Sequence, residues 1–298
     1  MSSPFSPENE QLFKNWSNTK IENAFRTDIQ SIDSLFVAIA DPAQLTTTEI
    51  KSIHRNCSKN SFCLYRVDPV LHNNKNKIHL FMAQLGLQKL DTNICADADS
   101  LTSIKQTEQL GQHDYIPYSN KQLSWHTDGY YNPKNEQINS MLLHCVQPAT
   151  EGGESLFMDH EIAYLLLRNK NPDYIKVLME DDALTIPANI LNGKTIREAQ
   201  TGPVFSINQY GHLHMRFSAR KRNISWKQND LLLEAIDYLN SLLNRDSPYI
   251  IKHKLKPGEG IVCKNILHCR TSFVDSKETE KKRLLYRGRY YDCLPDVY

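Results

Sequence analysis

Short runs of β-forming residues, each ended by turn residues, constrain the fold of this chain more than any other feature. They lie at Phe62–Val67, Met141–Val146, Val204–Phe217 with a break at Gly211, Gly260–Cys263 and Arg283–Tyr291. Such runs predict strands. Many short strands at irregular spacing, without a fixed-period repeat, predict a jelly roll or a related barrel.

Two segments have helical patterns instead. One is Glu161–Lys170, and the other is Asp230–Leu243, whose apolar residues recur at helical spacing behind Asn229, a favoured N-cap residue. Because the apolar residues of such a helix share one face, we expect both helices to pack on the outside of a sheet. The predicted fold class is therefore mainly β with flanking helices.

The chain is predicted to form a single domain over residues 1–298. Hydrophobic residues make up 40% of it and charged residues 23%, which is typical of a globular protein with a sizeable core. We expect residues 1–27 to be a polar N-terminal lead. Residues 180–229, which contain several Pro and Gly, are expected to be an insertion that covers a site.

The charge balance argues against nucleic acid and membranes as partners. The chain has 35 Lys and Arg against 34 Asp and Glu, so its net charge is only +1. The longest apolar stretch, near Leu35–Ala40, is too short to span a bilayer, and Met1–Glu10 does not resemble a signal peptide. We expect a cytoplasmic protein that binds a small molecule, and self-association into a homo-oligomer stays open.

The cysteines are scattered and odd in number. No Cys-x-x-Cys pair occurs, which is typical of reduced thiols and argues against a structural zinc site. The seven positions are Cys57, Cys63, Cys95, Cys145, Cys263, Cys269 and Cys293.

The strongest chemical signal is the pair His126 and Asp128. Residues two apart on an extended strand point to the same face, where an imidazole and a carboxylate can bind one metal. His268, after the probable buried strand Gly260–Cys263, is the best candidate for a third ligand. Two histidines and one carboxylate leave three octahedral positions open for a keto acid and dioxygen, which favours a non-haem Fe(II) oxygenase.

Ordinary alternatives exist for each of these residues. A His-x-Asp pair alone is a weak motif and can be a hydrogen-bonded pair at a strand edge. His212 and His214 also share a strand face, but they lack a nearby carboxylate. His144 is either a hydrogen-bonded core residue or a residue that lines the site.

A second signal lies near the C-terminus. In Arg283–Tyr291 the arginines Arg283, Arg287 and Arg289 share one strand face. Such a face is commonly solvated, but a guanidinium is also the group best shaped to bind a carboxylate. The basic cluster around Arg216 and Arg220 is interpreted as a solvated face.

Four motifs, in order, resemble the taurine dioxygenase-like (TauD/TfdA) family of Fe(II)/2-oxoglutarate dioxygenases. Trp125–Asp128 is similar to its first two iron ligands, Leu143–Leu156 contains a strand and a Gly-Gly-acid-Ser motif, and Ile266–Asp275 resembles its distal histidine segment. Arg283 and Arg287 match its Arg-x-x-x-Arg element. Four ordered motifs at compatible spacing are far more specific than any one of them.

The resemblance implies a double-stranded β-helix, a jelly-roll (cupin-like) core with iron at its mouth. It also implies Fe(II), 2-oxoglutarate and O2 as requirements, with His126, Asp128 and His268 as the metal ligands and catalytic centre. Arg283 would bind the C5 carboxylate of 2-oxoglutarate, with a hydroxyl donor from Ser155. Succinate and CO2 would be released as an unactivated C–H is hydroxylated.

The substrate is expected to be a small molecule, amino-acid-like or carboxylate-bearing. Arg287 can pair with an anion, and Gln122, Tyr130 and Tyr131 lie near the motifs, although ordinary packing is an equal explanation for each tyrosine. An alternative function is a cupin-like metal-binding protein without oxygenase activity, such as an isomerase or a keto-acid sensor. That protein would need the three ligands but not Arg283 and Ser155.

Overall fold

The computed structural model describes residues 3–68, 73–92, 96–107, 116–191, 193–220 and 222–295. The α-helices in this part of the chain are α1 (Glu10–Asn23), α2 (Thr47–Asn60), α3 (Lys75–Gln84), α4 (His160–Lys170), α5 (Pro172–Leu178) and α6 (Asp230–Asn244). The strands are β1 (Phe36–Ile39), β2 (Phe62–Val67), β3 (Thr102–Ile104), β4 (Leu123–His126), β5 (Ser140–Gln147), β6 (Glu151–Gly152), β7 (Ser155–Met158), β8 (Leu184–Ile186), β9 (Asn189–Leu191), β10 (Lys194–Arg197), β11 (Gln200–Gly202), β12 (Phe205–Ile207), β13 (Leu213–Met215), β14 (Ser225–Trp226), β15 (Ile251–His253), β16 (Glu259–Cys263), β17 (Leu267–Arg270), β18 (Phe273–Val274) and β19 (Leu284–Tyr290).

Two sheets dominate the architecture. The major sheet has the order β1-β2-β16-β5-β19-β3 and is antiparallel except for the β1–β2 pair. The minor sheet has the order β15-β7-β17-β4 and is antiparallel throughout. Leu143 and Ile261 of the major sheet share one apolar core with Phe157 of the minor sheet, so this core lies between the two sheets.

The helices cover the outer faces of both sheets. Buried residues of α2 and α3 pack with Tyr65 and Leu142 of the major sheet, and α4, α5 and α6 pack with Trp125 and Leu267 of the minor sheet. The two predicted helices are confirmed: α6 begins after Asn229, whose side chain accepts a hydrogen bond from the Leu232 amide at 3.0 Å. Both helices pack outside the minor sheet.

The prediction of a mainly β chain needs correction. In the described residues, α-helices and strands take up similar lengths, so the architecture is one of mixed sheets and helices. Part of the difference is the N-terminal lead, which contains α1. Its Phe13 and Trp16 pack around Tyr164, and Arg168 donates to the main-chain carbonyls of Pro4, Ser6 and Pro7. A few aromatic residues thus bury one face of a mostly polar segment.

The predicted insertion, residues 180–229, contains β8 to β14. Three of its strands form the sheet β11-β8-β14, and β12 and β13 form a hairpin. None of the helices within the described ranges is long and apolar enough to cross a bilayer. The six described cysteines form no disulfide with one another, and Cys95 lies outside the described residues.

Candidate metal and co-substrate site

The structure brings His126, Asp128 and His268 together. In the antiparallel pair β4–β17, His126 lies directly opposite His268, and their ring centroids are 4.2 Å apart. Asp128 follows β4, and one potential ligand atom from each residue lies within 4.8 Å of the others. All three side chains are buried, and among the described residues no other group of His, Cys, Asp and Glu meets this geometry.

Both imidazoles have a fixed orientation. His126 Nδ1 donates to the carbonyl of Ser124 at 2.9 Å, and His268 Nδ1 donates to the carbonyl of Ile266 at 3.0 Å. Because a carbonyl only accepts, the proton of each neutral ring is on Nδ1, and Nε2 has the free lone pair. A hydrogen bond of this kind is the usual support of a metal-binding histidine.

Asn265 supports Asp128 from the other side of the site. Its amide oxygen accepts from the Asp128 N–H at 2.8 Å, and its amide nitrogen donates to the carbonyls of Asp128 and Ile138. Asn265 has φ of 52°, a left-handed conformation that asparagine tolerates better than most residues. Sequence reasoning missed this residue; its one signal was an Asn three positions before His268.

The carboxylate of Asp128 has one engaged and one unpaired oxygen. Oδ1 accepts from Arg287 Nη1 at 3.3 Å, whereas Oδ2 is buried and has no hydrogen-bond partner among the described residues. A buried carboxylate oxygen without a partner is costly unless a cation binds it. The donor set therefore fits a metal ion.

Burial and neighbouring charges set the protonation of this site. Burial, and then the nearby His268, lower the pKa of His126 to about 3. Burial alone would raise the pKa of Asp128, but the positive charges of Arg287 and its neighbours outweigh it and hold that pKa below the usual range. Neutral imidazoles and an ionised carboxylate are the forms that bind a metal.

Arg283, which directly precedes β19, and Ser155 line one small pocket. The cavity is also lined by Cys145, Gly153 and Lys254. Burial lowers the pKa of Arg283 to about 10, and its Nη1 is buried without a partner in the described part of the chain. The guanidinium lies 5.1 Å from the ring centre of Phe273. A guanidinium and a hydroxyl are groups that can bind a carboxylate.

Of the two interpretations of the arginine-bearing strand, the one as a solvated face is wrong. Arg283, Arg287 and Arg289 of the β19 segment are 4%, 8% and 3% exposed, because this face of β19 points into the space between the sheets. Arg216, also interpreted as solvated, is buried and donates to the carbonyls of Tyr130, Leu184 and Gln200. The alternation of side chains along the strand predicted that these arginines share one face. It did not predict whether that face points to solvent or to the other sheet.

Only two of the four candidate substrate residues lie near the triad. Arg287 lies at the triad, and the Tyr130 ring lies 6.5 Å from the His126 ring. Tyr131 accepts a hydrogen bond from Arg289 at 2.6 Å, and Arg289 is also paired with Asp91, so Tyr131 belongs to a buried network. Gln122 lies at a larger groove, described next.

A groove of about 580 Å³ lies between α6 and the strand that carries His126. We call it the α6 groove. Its walls combine apolar and polar side chains from β4, β14, β17, α6 and the segment that follows Phe217. They are Gln122, Ser124, Trp125, Ser218, Ala219, Arg220, Ile224, Trp226, Leu233, Ile236, Asp237, Asn240, Asn244 and Cys269.

Three other buried histidines of the described residues do not join the triad. His144 points away from it and accepts or donates a hydrogen bond with Tyr65 at 2.8 Å, which supports the core interpretation. His214 is buried against the carbonyl of Ile138, and His160 against that of Leu213. His72 and His113 lie outside the described residues.

Comparisons with known proteins identify a family and several similar proteins. The family model for the taurine catabolism dioxygenase TauD, TfdA family matches residues 36–289. Two uridine-5'-phosphate dioxygenases, from Amycolatopsis sp and Streptomyces sp, are 30% identical over 179 residues and 28% identical over 201 residues. The matches cover 57% and 64% of this chain, and only 61% and 70% of those relatives.

One solved structure illustrates the similarity of fold. The non-haem iron oxygenase OrfP, in complex with Fe, succinate and (3S)-hydroxy-L-Arg, superposes with a TM-score of 0.61 at 14% identity. The superposition covers 86% of this chain and 83% of that one. At this identity the similarity concerns the fold alone.

Proposed function

Because the chain belongs to the taurine catabolism dioxygenase TauD, TfdA family, we propose that it holds Fe(II) on His126, Asp128 and His268 and hydroxylates a small anionic substrate. The protein is a non-haem iron dioxygenase that uses Fe(II), 2-oxoglutarate and O2. Bound iron supplies the oxidising chemistry, with 2-oxoglutarate converted to succinate and CO2. The protein contributes ligands, orientation and exclusion of water.

The observation that carries the proposal is the buried triad with its unpaired ligand atoms. Two Nε2 lone pairs and one carboxylate oxygen converge, and each ligand is fixed by a hydrogen bond to the main chain or to Arg287. A three-ligand set of this composition is typical of non-haem iron oxygenases. We further propose that the two facing sheets form a double-stranded β-helix around it.

Arg283, rather than Arg287, is proposed to bind the far carboxylate of 2-oxoglutarate. Arg287 already contacts Asp128, while the Arg283 Nη1 has no partner among the described residues and shares its cavity with Ser155. An arginine and a hydroxyl together provide charge and directional hydrogen bonds for a carboxylate. A cupin-like metal binder would not need this pair.

The substrate is proposed to be a nucleoside monophosphate-like anion. The two sequence relatives are named as uridine-5'-phosphate dioxygenases, whereas the structures bound to amino-acid products are similar in fold only. Arg220, whose guanidinium donates to the Tyr130 hydroxyl, supplies positive charge near the triad. An amino-acid-like substrate is the second candidate, since a carboxylate also pairs with arginine.

The test is an anaerobic titration of the Fe(II)-loaded protein with 2-oxoglutarate. Chelation of Fe(II) by the keto acid is expected to produce a visible metal-to-ligand charge-transfer band. Asp128→Ala should abolish the band, and Arg283→Ala should move it to much higher 2-oxoglutarate concentrations. A correctly metallated wild-type protein without a band would reject the oxygenase site and favour the cupin-like binder.

A further inference from the structure

We propose that Asn265 is a positioning residue for the metal site: its side-chain amide holds the main chain of Asp128 and so aims the carboxylate at the ion. The inference rests on the proposed function, because it concerns the metal affinity of the same three ligands. No sequence motif pointed to Asn265, and the set of ligands is complete without it.

Asp128 lies just beyond the strand pair that carries the two histidines. β4 ends at His126, whose partner in the antiparallel pair β4–β17 is His268. If the pairing continued by two more residues, Asp128 would lie opposite the main chain of Ile266. β17 does not extend that far, and the chain before it turns at Asn265. Strand pairing therefore holds the two histidines but does not hold Asp128.

The Asn265 amide takes the place of a strand partner for Asp128. Its Oδ1 accepts from the Asp128 N–H at 2.8 Å, and its Nδ2 donates to the Asp128 carbonyl at 2.9 Å. A residue exchanges the same two bonds with its partner in an antiparallel ladder. The second N–H of Nδ2 donates to the Ile138 carbonyl at 2.8 Å. The amide thus uses both donors and its acceptor, which no hydroxyl or carboxylate side chain can do.

Asn265 combines this contact with an uncommon backbone conformation and with burial. Its φ of 52° lies in the left-handed region, which asparagine adopts more readily than most residues with a side chain. It is 2% exposed, so water does not compete for its hydrogen bonds. Without the amide, an N–H and a carbonyl of the buried Asp128 lose their partner.

The second carbonyl that Asn265 contacts is itself held in place. The Ile138 carbonyl also accepts from Nε2 of the buried His214 at 3.2 Å. Gly129, which directly follows Asp128, has φ of 64°, and the side chain of Ile138 leaves no room for a Cβ there. The loop from Gly129 to Ile138 therefore folds back on itself and brings two carbonyls within reach of one amide nitrogen.

Asp128 is consequently fixed at both of its ends. Asn265 holds the main chain, and Arg287 donates to Oδ1 of the carboxylate at 3.3 Å. Oδ2 is left without a partner in the described part of the chain and is available to the ion. A ligand that is ordered before the metal arrives loses less entropy on binding, so the affinity is higher. Groups that orient metal ligands contribute to affinity in this way.

The experiment measures the Fe(II) dissociation constant of the full chain by anaerobic competition with a chelator. Asn265→Gly keeps the left-handed conformation accessible and removes the amide. We expect it to bind Fe(II) about ten- to a hundredfold more weakly than wild type. Asn265→Ser, which retains one donor on a shorter side chain, is the milder variant and should lie between the two. The visible spectrum of bound Co(II), which depends on ligand geometry, should also change in both variants.

Asn139→Ala is the matched control. The Asn139 amide donates to the Tyr291 carbonyl at 2.8 Å, just after Ile138 at the other end of the same loop. We expect this variant to keep the wild-type Fe(II) affinity and Co(II) spectrum, and urea unfolding of the metal-free proteins shows how much stability each variant loses.

The outcomes separate this inference from the proposed function. Wild-type Fe(II) affinity in both Asn265 variants would overturn the positioning role, even if the wild-type charge-transfer band with 2-oxoglutarate is present. An equal loss of Fe(II) affinity in Asn139→Ala would overturn it as well, because any weakening of the loop would then have the same effect. A wild-type protein that binds no Fe(II) would reject the proposed function, and this inference with it.

Discussion

Arg287 donates a hydrogen bond to the carboxylate of Asp128 at 3.3 Å, and both side chains are buried. The guanidinium thus neutralises a carboxylate that the chain buries whether or not a metal is bound. Arg287 consequently supports the site itself, besides any contact with the substrate.

We expect Arg287→Met to destabilise the metal-free protein by about 3–5 kcal/mol, because Asp128 loses its charge partner while it stays buried. Fe(II) supplies a new positive partner, so the loss should be much smaller in the metal-loaded protein. Thermal unfolding with and without Fe(II), under anaerobic conditions, measures the difference. An equal decrease in both states would show that Arg287 contributes packing rather than charge compensation.

Arg283→Gln should raise the KM for 2-oxoglutarate by roughly a hundredfold, since a charge-assisted hydrogen bond to a buried carboxylate is replaced by a neutral contact. Ser155→Ala should raise it by a smaller factor of about three to ten. Fe(II) affinity, measured by competition with a chelator, should not change in either variant. If the KM for 2-oxoglutarate is unaltered in Arg283→Gln, the co-substrate binds elsewhere.

Substitution of Lys20 measures how much its buried ion pairs with Asp159 and Glu161 stabilise the protein. Its ammonium lies 2.7 Å from Asp159 and also contacts Glu161, and all three groups are buried. Lys20→Met leaves two buried carboxylates without this cation, so we expect a loss of about 3–5 kcal/mol at pH 7. Urea unfolding at pH 7 measures it, with exposed Lys14→Met in the same helix as the control.

The pH dependence of this effect has a definite sign. Burial alone would raise the pKa of Glu161, but Lys20 outweighs it and lowers that pKa below its usual value of 4.5. In wild type the contribution of the pair is therefore complete above about pH 4.5 and is lost as the pH falls through the lowered pKa. In Lys20→Met the same carboxyl is buried without the cation, so protonation stabilises it. The difference between the two proteins should shrink as the pH is lowered from 7 towards 4.

Arg216 connects the insertion to the loop that follows Asp128. Its three main-chain acceptors lie on Tyr130, β8 and β11, so Arg216→Met removes hydrogen bonds from all three. We expect faster amide hydrogen exchange in residues 184–202 with little change in α2. Exposed Arg222→Met is the control, and equal protection in both variants would contradict an anchoring role for Arg216.

Periodicity and spacing were enough to predict several parts of this molecule. The apolar spacing and cap of α6 gave its bounds to within a residue, and the two-residue spacing of His126 and Asp128 put both on one side of the site. The metal and co-substrate roles of these residues stay predictions.

Contacts between residues distant in sequence were not predictable in the same way. Asn265 supports Asp128, 137 positions away, and Arg216 reaches carbonyls of three segments. The burial of Arg287 depends on which face of β19 meets the minor sheet, and alternation alone does not determine that.

The opposition of His126 and His268 has a consequence for the lifetime of the protein. The two residues are separated by more than a hundred positions in the chain, and a metal bound to both closes that long loop. A ligand that binds only the folded chain shifts the folding equilibrium towards that state as the ligand concentration rises, and His126 and His268 lie side by side only in the folded chain. Iron supply would then govern the amount of intact enzyme as well as its turnover, because chains without the ion unfold and meet proteases more often.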